Sequence, residues 1–518
     1  ASTKLFPMTT PTTVWEILET GTALNPVAPA MGGERPLDYR SLLHTTTLLA
    51  AALQRAGVVP GDRVAALQRN TPFYLSWTFA CAGVGAILVP LNYRLNVLEL
   101  RAVLEDSEPR ILVAEDDFHG LAEDAAKGLA VEILKMSSLH AEYPPLGLSL
   151  QSEDFQDFVP HSASEDDVAH LYYTSGTTGR AKGVPLTHRN VVQHALATIT
   201  ELDLASDDVW GHIAPMFHLA DAWAITLAGG CHVFLPEFEA RAALFVFESA
   251  GVTISNLVPT MLQRMLAAAP EMGFDGGSLR LVLSGGAPIS PAAVAAVLDT
   301  FKCEYVQTYG LTETSPYLTL GILEPHRRKE SEERQLARRS RTGRAFETVE
   351  LEVVDDGGLP VPRDDRTVGE IVARGSTITP GYWNRPEETA AAFRNGWFHT
   401  GDLATIDAEG WVNIVDRKKD MILSGGENVY SIEVENALYG HPSVLECAAF
   451  GAPSQQWGEE VRAAVVLRDG VERTDGLEAE LREHCGRQLA RYKLPRAFVF
   501  LDELPKTGSG KISKRLLR

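Results

Sequence analysis

The chain has 518 residues, 45% hydrophobic and 22% charged, with 47 basic against 68 acidic side chains and a net charge of −21. That length exceeds one ordinary core, so two or three domains of a soluble globular protein are expected. So acidic a surface repels nucleic acid and anionic membrane, and an anionic ligand would need basic groups gathered locally.

The amino-terminal stretch "ASTKLFPMTTPTTVWEILE" lacks the charged-then-apolar pattern of a secretory leader. Residues 40–160 alternate helical patterns such as "YRSLLHTTTLLAAALQRAG" with short apolar strands, "DRVAAL", "AILVPL" and "RILVAE". That alternation predicts layered α/β architecture with largely parallel sheets. The longest apolar run, "FACAGVGAILVPL" from Phe79, is too short to span a bilayer and contains a proline, so a buried helix leading into a strand is expected. The pattern continues through "CHVFLP", "TISNLVP" and "LRLVLSGGAPISPAAVAAVLDTF", where Ser290 is placed to cap a helix starting at Pro291.

Glu324 to Arg344 is dense in both charge signs and reads as a solvated helix or loop. From about Arg344 alternating patterns such as "VELEVVDDGG" and "GEIVARG" predict a smaller β-rich subdomain. In "NRPEETAAAF", Asn384 and Glu387 stand at capping-box spacing. After "VDRKKDMILSGGEN" the chain starts afresh with its own helical and strand patterns. The expected organisation is therefore a large domain over residues 1–416, a hinge at 417–419 and a small α+β domain over 420–518. Five scattered cysteines without CxxC spacing, and 14 histidines without an HxxxH pair, point to reduced thiols in a cytoplasmic protein, not to disulfides or zinc.

"YYTSGTTGRAKG" (Tyr172 to Gly183) departs from the common phosphate loop, because Lys182 is followed by Gly183 and Pro185 and the hydroxyls precede the lysine. Gly176 and Gly179 let the backbone curl into a nest of amides, Thr174, Ser175, Thr177 and Thr178 add donors, and Lys182 adds charge. Alone, this could be a flexible surface turn. Five further stretches accompany it in order: "SGGAP" (Ser284 to Pro288), "YGLTET" (Tyr309 to Thr314), "GWFHTGD" (Gly396 to Asp402), "VDRKKDMILSGGENVYS" (Val415 to Ser431) and "LPKTGSGKISKR" (Leu504 to Arg515).

Together the six stretches resemble the adenylate-forming superfamily: AMP-forming acyl-CoA synthetases, adenylation domains of peptide synthetases, and luciferases. The resemblance runs from about residue 40 to the end of the chain. It implies an α/β fold, with a large domain of layered sheets, a β-rich subdomain and a small mobile C-terminal domain. It implies a ligase that joins a carboxylic acid to ATP as acyl-AMP, then passes the acyl group to CoA. Two anions must meet in the first step, so neutralisation and in-line positioning matter more than acid–base work.

Carried over residue by residue, the hairpin holds the β- and γ-phosphates, Thr312 contacts the α-phosphate and Glu313 holds Mg2+, a hard cation suited to a carboxylate. Gly286, Ala287 and Pro288 lie beside adenine, with Tyr309 as a stacking ring and Gly310 next to it. Asp402 takes the ribose hydroxyls and Arg417 lies near the ribose and phosphate. Lys511 bridges the substrate carboxylate and the α-phosphate. Lys419 is the hinge about which the small domain swings, bringing Gly425 and Gly426 to the CoA tunnel. Glu427 is a candidate base for the CoA thiol, though its ordinary pKa of about 4.3 suits that task only if burial raises it; a plain loop carboxylate is the alternative.

The acyl pocket is expected to draw on Met216, Phe217, Trp223, Ser284, Gly285, Gly310 and Leu311, with His218 as a gate or a core histidine and Asp221 resembling an amino-group anchor by type alone. An apolar or weakly polar acid fits best: medium-chain fatty, aryl or thioether. The expected partners are that acid, ATP and CoA, with no nucleic acid, no membrane span, and a homodimer as the assembly to test. A stand-alone enzyme loading a carrier protein, a luciferase-like enzyme and a non-catalytic nucleotide sensor are the rival readings.

Overall fold

The computed structural model describes residues 10–33, 36–136, 158–175, 181–218, 220–287, 289–468, 470–474, 476–506 and 512–518, with only the backbone at Ser175, His218, Ala220 and Asp221. The chain forms two compact units. One comprises Ala1–Arg339, Ala345–Glu350 and Arg374–Phe398, the other Ser340–Arg344, Leu351–Ala373 and His399–Arg518. The β-rich stretch expected from about residue 344 is thus shared between them.

The first unit contains two α/β sheets. In one, the order is Glu132–Lys135, Ile111–Ala114, Arg63–Leu67, Ile87–Leu91, Val168–Ser175, Ala181–Thr187. The first five strands pair in parallel, and the last returns antiparallel as a hairpin. Val64 to Leu67, Ile87 to Leu91 and Ile111 to Ala114 are buried throughout, as short unbroken apolar runs must be when helices cover both faces. The run from Phe79 is a buried helix end, Pro72–Gly83, followed by the strand Ile87–Leu91, as its length and proline foretold. In the second sheet Cys231–Phe234, Val209–His212, Ile254–Leu257, Leu281–Ser284 and Glu304–Gly310 lie side by side in parallel, and Tyr317–Leu320 closes antiparallel on the last.

Local signals explain most helix starts. Ser290 accepts a bond from the Ala293 amide at the head of Pro291–Phe301, as expected. The box expected between Asn384 and Glu387 does not form. Pro386 occupies the first helical position, so Arg385 is the cap residue, and Asn384 sits in the left-handed region at φ 53°. The charged segment before residue 344 is also less solvated than expected. Arg327 and Arg339 are buried, the latter held by Glu304 at 2.9 Å and donating to the Tyr305 carbonyl at 3.1 Å.

Among its described residues the first unit also buries five histidines: His170, His188, His194, His212 and His232. Burial pushes His170, His194 and His212 down to about 3 and His188 to about 4, and it lowers His232 as well. Neutral forms are favoured in the fold, so the unfolded chain binds more protons below pH ~6.5. The associated stability is complete above that pH and is lost as pH falls towards 4. Stability, read from thermal melting, should therefore drop steeply from pH 7 to pH 4.5, by at most roughly 1.4 kcal/mol per pH unit for each such histidine. Replacing His194 with leucine should flatten the slope; an unchanged slope counts against a buried neutral imidazole there.

The second unit has its own sheet, ordered Glu427–Val429, Ile422–Ser424, Gly458–Leu467, Val444–Ser454, with Ala497–Phe500 parallel to Gly458–Leu467. Val434 and Leu438 of helix Ser431–Tyr439 and Leu481 and Cys485 of helix Leu477–Gly486 share its core with Ala449, Val461 and Val465. This is a small α+β core. No described helix is long and apolar enough to cross a membrane.

Candidate active site

The two sides of the glycine-rich stretch are the antiparallel strands that end the first sheet. Tyr173 pairs with Gly183, Thr174 with Lys182 and Ser175 with Ala181, while Gly176, Thr177, Thr178 and Gly179 lie outside the described residues. The base of the hairpin is held from several sides. Tyr173 donates from its hydroxyl to Asp106 at 2.7 Å. The Trp383 amide donates to the Gly183 carbonyl at 2.8 Å, and a Cβ at Gly183 would lie 2.9 Å from that of Trp383. Lys182 is half-buried, ion-paired with Glu388, with its ammonium 5.1 Å from the centre of the Tyr382 ring.

The same tyrosine reaches the acidic motif, for its hydroxyl donates to Glu313 Oε1 at 2.9 Å. Glu313 lies in a 3-10 turn, Thr312–Thr314, directly after strand Glu304–Gly310, and is 9% exposed. Its carbonyl accepts from the Thr379 amide at 2.8 Å, and Ser315 donates to the Thr377 carbonyl at 2.7 Å, so residues 377–382 clamp the turn. Burial, with the neighbouring carboxylate, pushes the Tyr382 phenol well above its usual value, so it remains a donor at every working pH. The approach of the chain after the turn requires Gly310, because a Cβ there would lie 1.6 Å from the Pro316 carbonyl oxygen. Leu311 and Thr312 are half-buried beside it.

Ser284 ends the strand Leu281–Ser284 and Gly286 follows at φ 82°. Gly285 packs against the next strand so closely that a Cβ would meet Thr308 Oγ1 at 2.3 Å. Two neighbours hold this loop: Thr308 donates to the Ser284 carbonyl at 3.1 Å, and Gln307 Nε2 donates to the Ala287 carbonyl at 3.1 Å. Tyr309 is half-buried on the same strand as these two, whereas Pro288 lies outside the described residues. Strand Glu304–Gly310 thus supports both the Ser284–Ala287 loop and the acidic turn.

In the region expected to receive the acid, Met216 and Phe217 form a buried 3-10 turn, and Asn70 fixes it. The Met216 amide donates to Asn70 Oδ1 at 2.7 Å, while Asn70 Nδ2 donates to the carbonyls of His212 and Ala214 at 3.0 and 2.9 Å. Phe217 meets Tyr93 edge-on. Trp223 is buried against His170 and His194, whose rings lie 5.3 and 5.7 Å from its own. His194 Nδ1 and Nε2, His170 Nε2 and Trp223 Nε1 are buried without a hydrogen-bond partner among the described residues. The His218 and Asp221 side chains lie outside the described residues.

In the second unit Asp402 is 5% exposed and lies across the antiparallel ladder from Arg417, whose Nε is 3.4 Å from its carboxylate. Lys419 follows in a turn where Asp420 and Met421 donate to the Arg417 carbonyl, and burial lowers its pKa. Gly425 and Gly426, at φ 63° and 88°, form a two-residue hairpin between Ser424 and Glu427. Glu427 is exposed beside that turn. Lys511 lies outside the described residues. Its flanks do not: Lys506 pairs with Ile512, and the Ser513 amide donates to the Pro505 carbonyl at 2.7 Å.

Sequence reasoning missed Tyr382, Glu388, Asn70 and Gln307. A tyrosine, an acid and two amides in unremarked positions carry no motif of their own; what makes them functional candidates is the contact each makes.

The first unit thus holds a hairpin cation, Lys182, and a buried carboxylate, Glu313, both in contact with Tyr382, and the second unit holds the Asp402–Arg417 pair. The family model for AMP-binding enzymes matches residues 18–383 and that for the AMP-binding enzyme C-terminal domain matches 433–511, and the chain belongs to this family. It is 41% identical over 490 residues to a feruloyl-CoA synthase of an Amycolatopsis species, covering 94% of each chain. It is 35% identical over 519 residues to a long-chain-fatty-acid–CoA ligase of Thermus thermophilus, covering 98% of this chain and 95% of that one. Among solved structures it resembles the o-succinylbenzoate CoA synthetase of Bacillus subtilis in complex with ATP and magnesium, with a TM-score of 0.82 and 29% identity over 96% of this chain and 98% of that one. The chain is an AMP-forming acyl-CoA ligase that uses ATP, Mg2+ and CoA.

Proposed function

We propose that the acid is an aryl acid carrying a polar ring substituent, of the hydroxycinnamate kind. The observation that carries this reading is the 41% identity to a feruloyl-CoA synthase over nearly the whole of both chains. The environment of Trp223 supports it. Four buried polar atoms there have no partner among the described residues, and buried polar groups seek one. A ring hydroxyl or methoxy oxygen is able to bond one of them directly, which an alkyl chain is not. A CoA-dependent AMP-release assay over ferulate, unsubstituted cinnamate, benzoate and C8 to C16 fatty acids tests it. Ferulate-type acids should turn over fastest; a clear preference for fatty acids defeats the reading.

Within that reaction, the hairpin with Lys182 takes the leaving phosphates and Thr312 the α-phosphate. Glu313 is a fitting site for Mg2+, an oxygen-seeking cation, because it is a buried carboxylate beside the phosphate hairpin. When bound, the ion supplies charge neutralisation between the two anionic reactants. Gly286, Ala287 and Tyr309 hold adenine, and Asp402 with Arg417 holds the ribose. Lys511 brings the carboxylate to phosphorus, and rotation at Lys419 then exchanges it for Gly425 and Gly426 on the CoA side. The reading includes a cytoplasmic location, in keeping with free cysteines, and light scattering decides between a monomer and a homodimer.

Tyr382 orients the metal-holding carboxylate. Tyr382→Phe should raise the Mg2+ concentration for half-maximal adenylation by about tenfold, the scale of losing an outer-shell partner. A metal titration at saturating ATP measures this, and an unchanged curve removes Tyr382 from the site.

A further inference from the structure

We propose that Glu388 is the resting counter-ion of Lys182, displaced by the phosphates of ATP and taken over by Arg385; this rests on the reading of the hairpin as the phosphate holder. Lys182 needs an anion when no nucleotide is bound, because its side chain is only 18% exposed and a desolvated ammonium is costly unpaired. Glu388 supplies one from a more exposed position, 38%, so the pair can open to solvent. Once phosphate oxygens reach Lys182, a carboxylate in the same place would repel them.

An alternative partner stands ready. Arg385 Nε is 3.8 Å from Glu388, and its Nη2 is anchored on Asp106 at 3.0 Å. Asp106 in turn accepts the Tyr173 hydroxyl at 2.7 Å, which places the receiving guanidinium at the base of the hairpin. Only the carboxylate has to shift. The same segment carries Tyr382, bonded to Glu313 at 2.9 Å and facing Lys182 with its ring, so a change of partner at Glu388 is felt at the metal-holding residue. ATP thus competes with an internal anion for the hairpin's cation. The wild-type affinity is set below what the hairpin alone would give, and nucleotide arrival is coupled to residues 382–388.

The test is calorimetric titration of the full chain with Mg-ATP in the absence of any acid, and separately with Mg-pyrophosphate. Glu388→Gln should tighten both by about threefold, the scale of a half-exposed ion pair, and Glu388→Ala should do the same. In a Lys182→Ala background, itself weaker, Glu388→Gln should change nothing. Arg385→Ala should weaken Mg-ATP binding by stranding the carboxylate on Lys182, and Glu388→Gln should restore it. If Lys182→Ala weakens binding while Glu388→Gln is neutral or also weakens it, Glu388 is a fixed support and the counter-ion exchange is overturned. If Lys182→Ala leaves both affinities unchanged, the phosphate-holding reading of the hairpin fails instead, and the exchange fails with it.

Discussion

Replacing Lys511 with alanine is expected to slow acyl-adenylate formation by roughly a hundred- to a thousandfold, while acyl-CoA formation from supplied acyl-AMP stays near the wild-type rate. The carboxylate and the α-phosphate are both anionic, and a cation positioned between them is worth roughly 3–4 kcal/mol in a site of this kind. Two other lysines of the tail are already engaged. Lys514 is bound to Glu435 at 2.7 Å and to Ser431 at 2.5 Å, and Lys506 to Glu446 at 3.1 Å. Both neighbours are structural; their charges are already answered. Lys506 pairs with Ile512 on the two sides of the stretch that includes Lys511. Pyrophosphate release with acid and ATP measures the first step, and CoA thioester appearance from synthetic acyl-AMP measures the second. An equal loss in both would show that Lys511 supports the fold or binds nucleotide generally.

The layered sheets were legible because buried parallel strands read as short apolar runs between helical patterns; Arg63–Leu67 and Ile87–Leu91 are examples. The candidate site was legible where chemistry forces composition: glycines at the 425–426 hairpin with positive φ, and Gly310, whose Cβ would strike Pro316. It was illegible where function depends on a contact between distant positions. Nothing in "PGYWNRPEE" announces that Tyr382 will bond Glu313, 69 residues earlier, or that Glu388 will meet Lys182. The failed capping box shows the converse. Spacing favoured Asn384 and Glu387, but the fixed φ of Pro386 set the helix start one residue later. Arg339 is a further case, for a charge-dense segment reads as solvated until the fold supplies Glu304 as its partner.

Lys419→Pro is expected to leave adenylation near wild type and to slow transfer to CoA by roughly a hundredfold. Hinges concentrate a large backbone change in one or two residues. A proline fixes φ at 419 and restricts Lys418 before it, so one of the two arrangements becomes strained by about 3 kcal/mol. The bonds of the turn come from its neighbours: Lys418 donates to the Gly401 carbonyl at 2.9 Å, and Asp420 and Met421 donate to that of Arg417 at 2.8 and 3.0 Å. The contacts around it are ones that a swing at this point would have to undo. Asp416, three residues before Lys419, accepts from the Ser431 amide at 2.5 Å and hydroxyl at 2.8 Å, and Arg518 donates to the Lys419 carbonyl at 3.2 Å. A rotation at 419 would carry Asp416 with one side and Ser431 with the other, and would break those bonds. Lys419→Ala keeps φ free and should run both steps, which separates backbone freedom from the ammonium. Normal turnover in the proline variant would place the pivot elsewhere, and loss of both steps would mean that the substitution had damaged the turn.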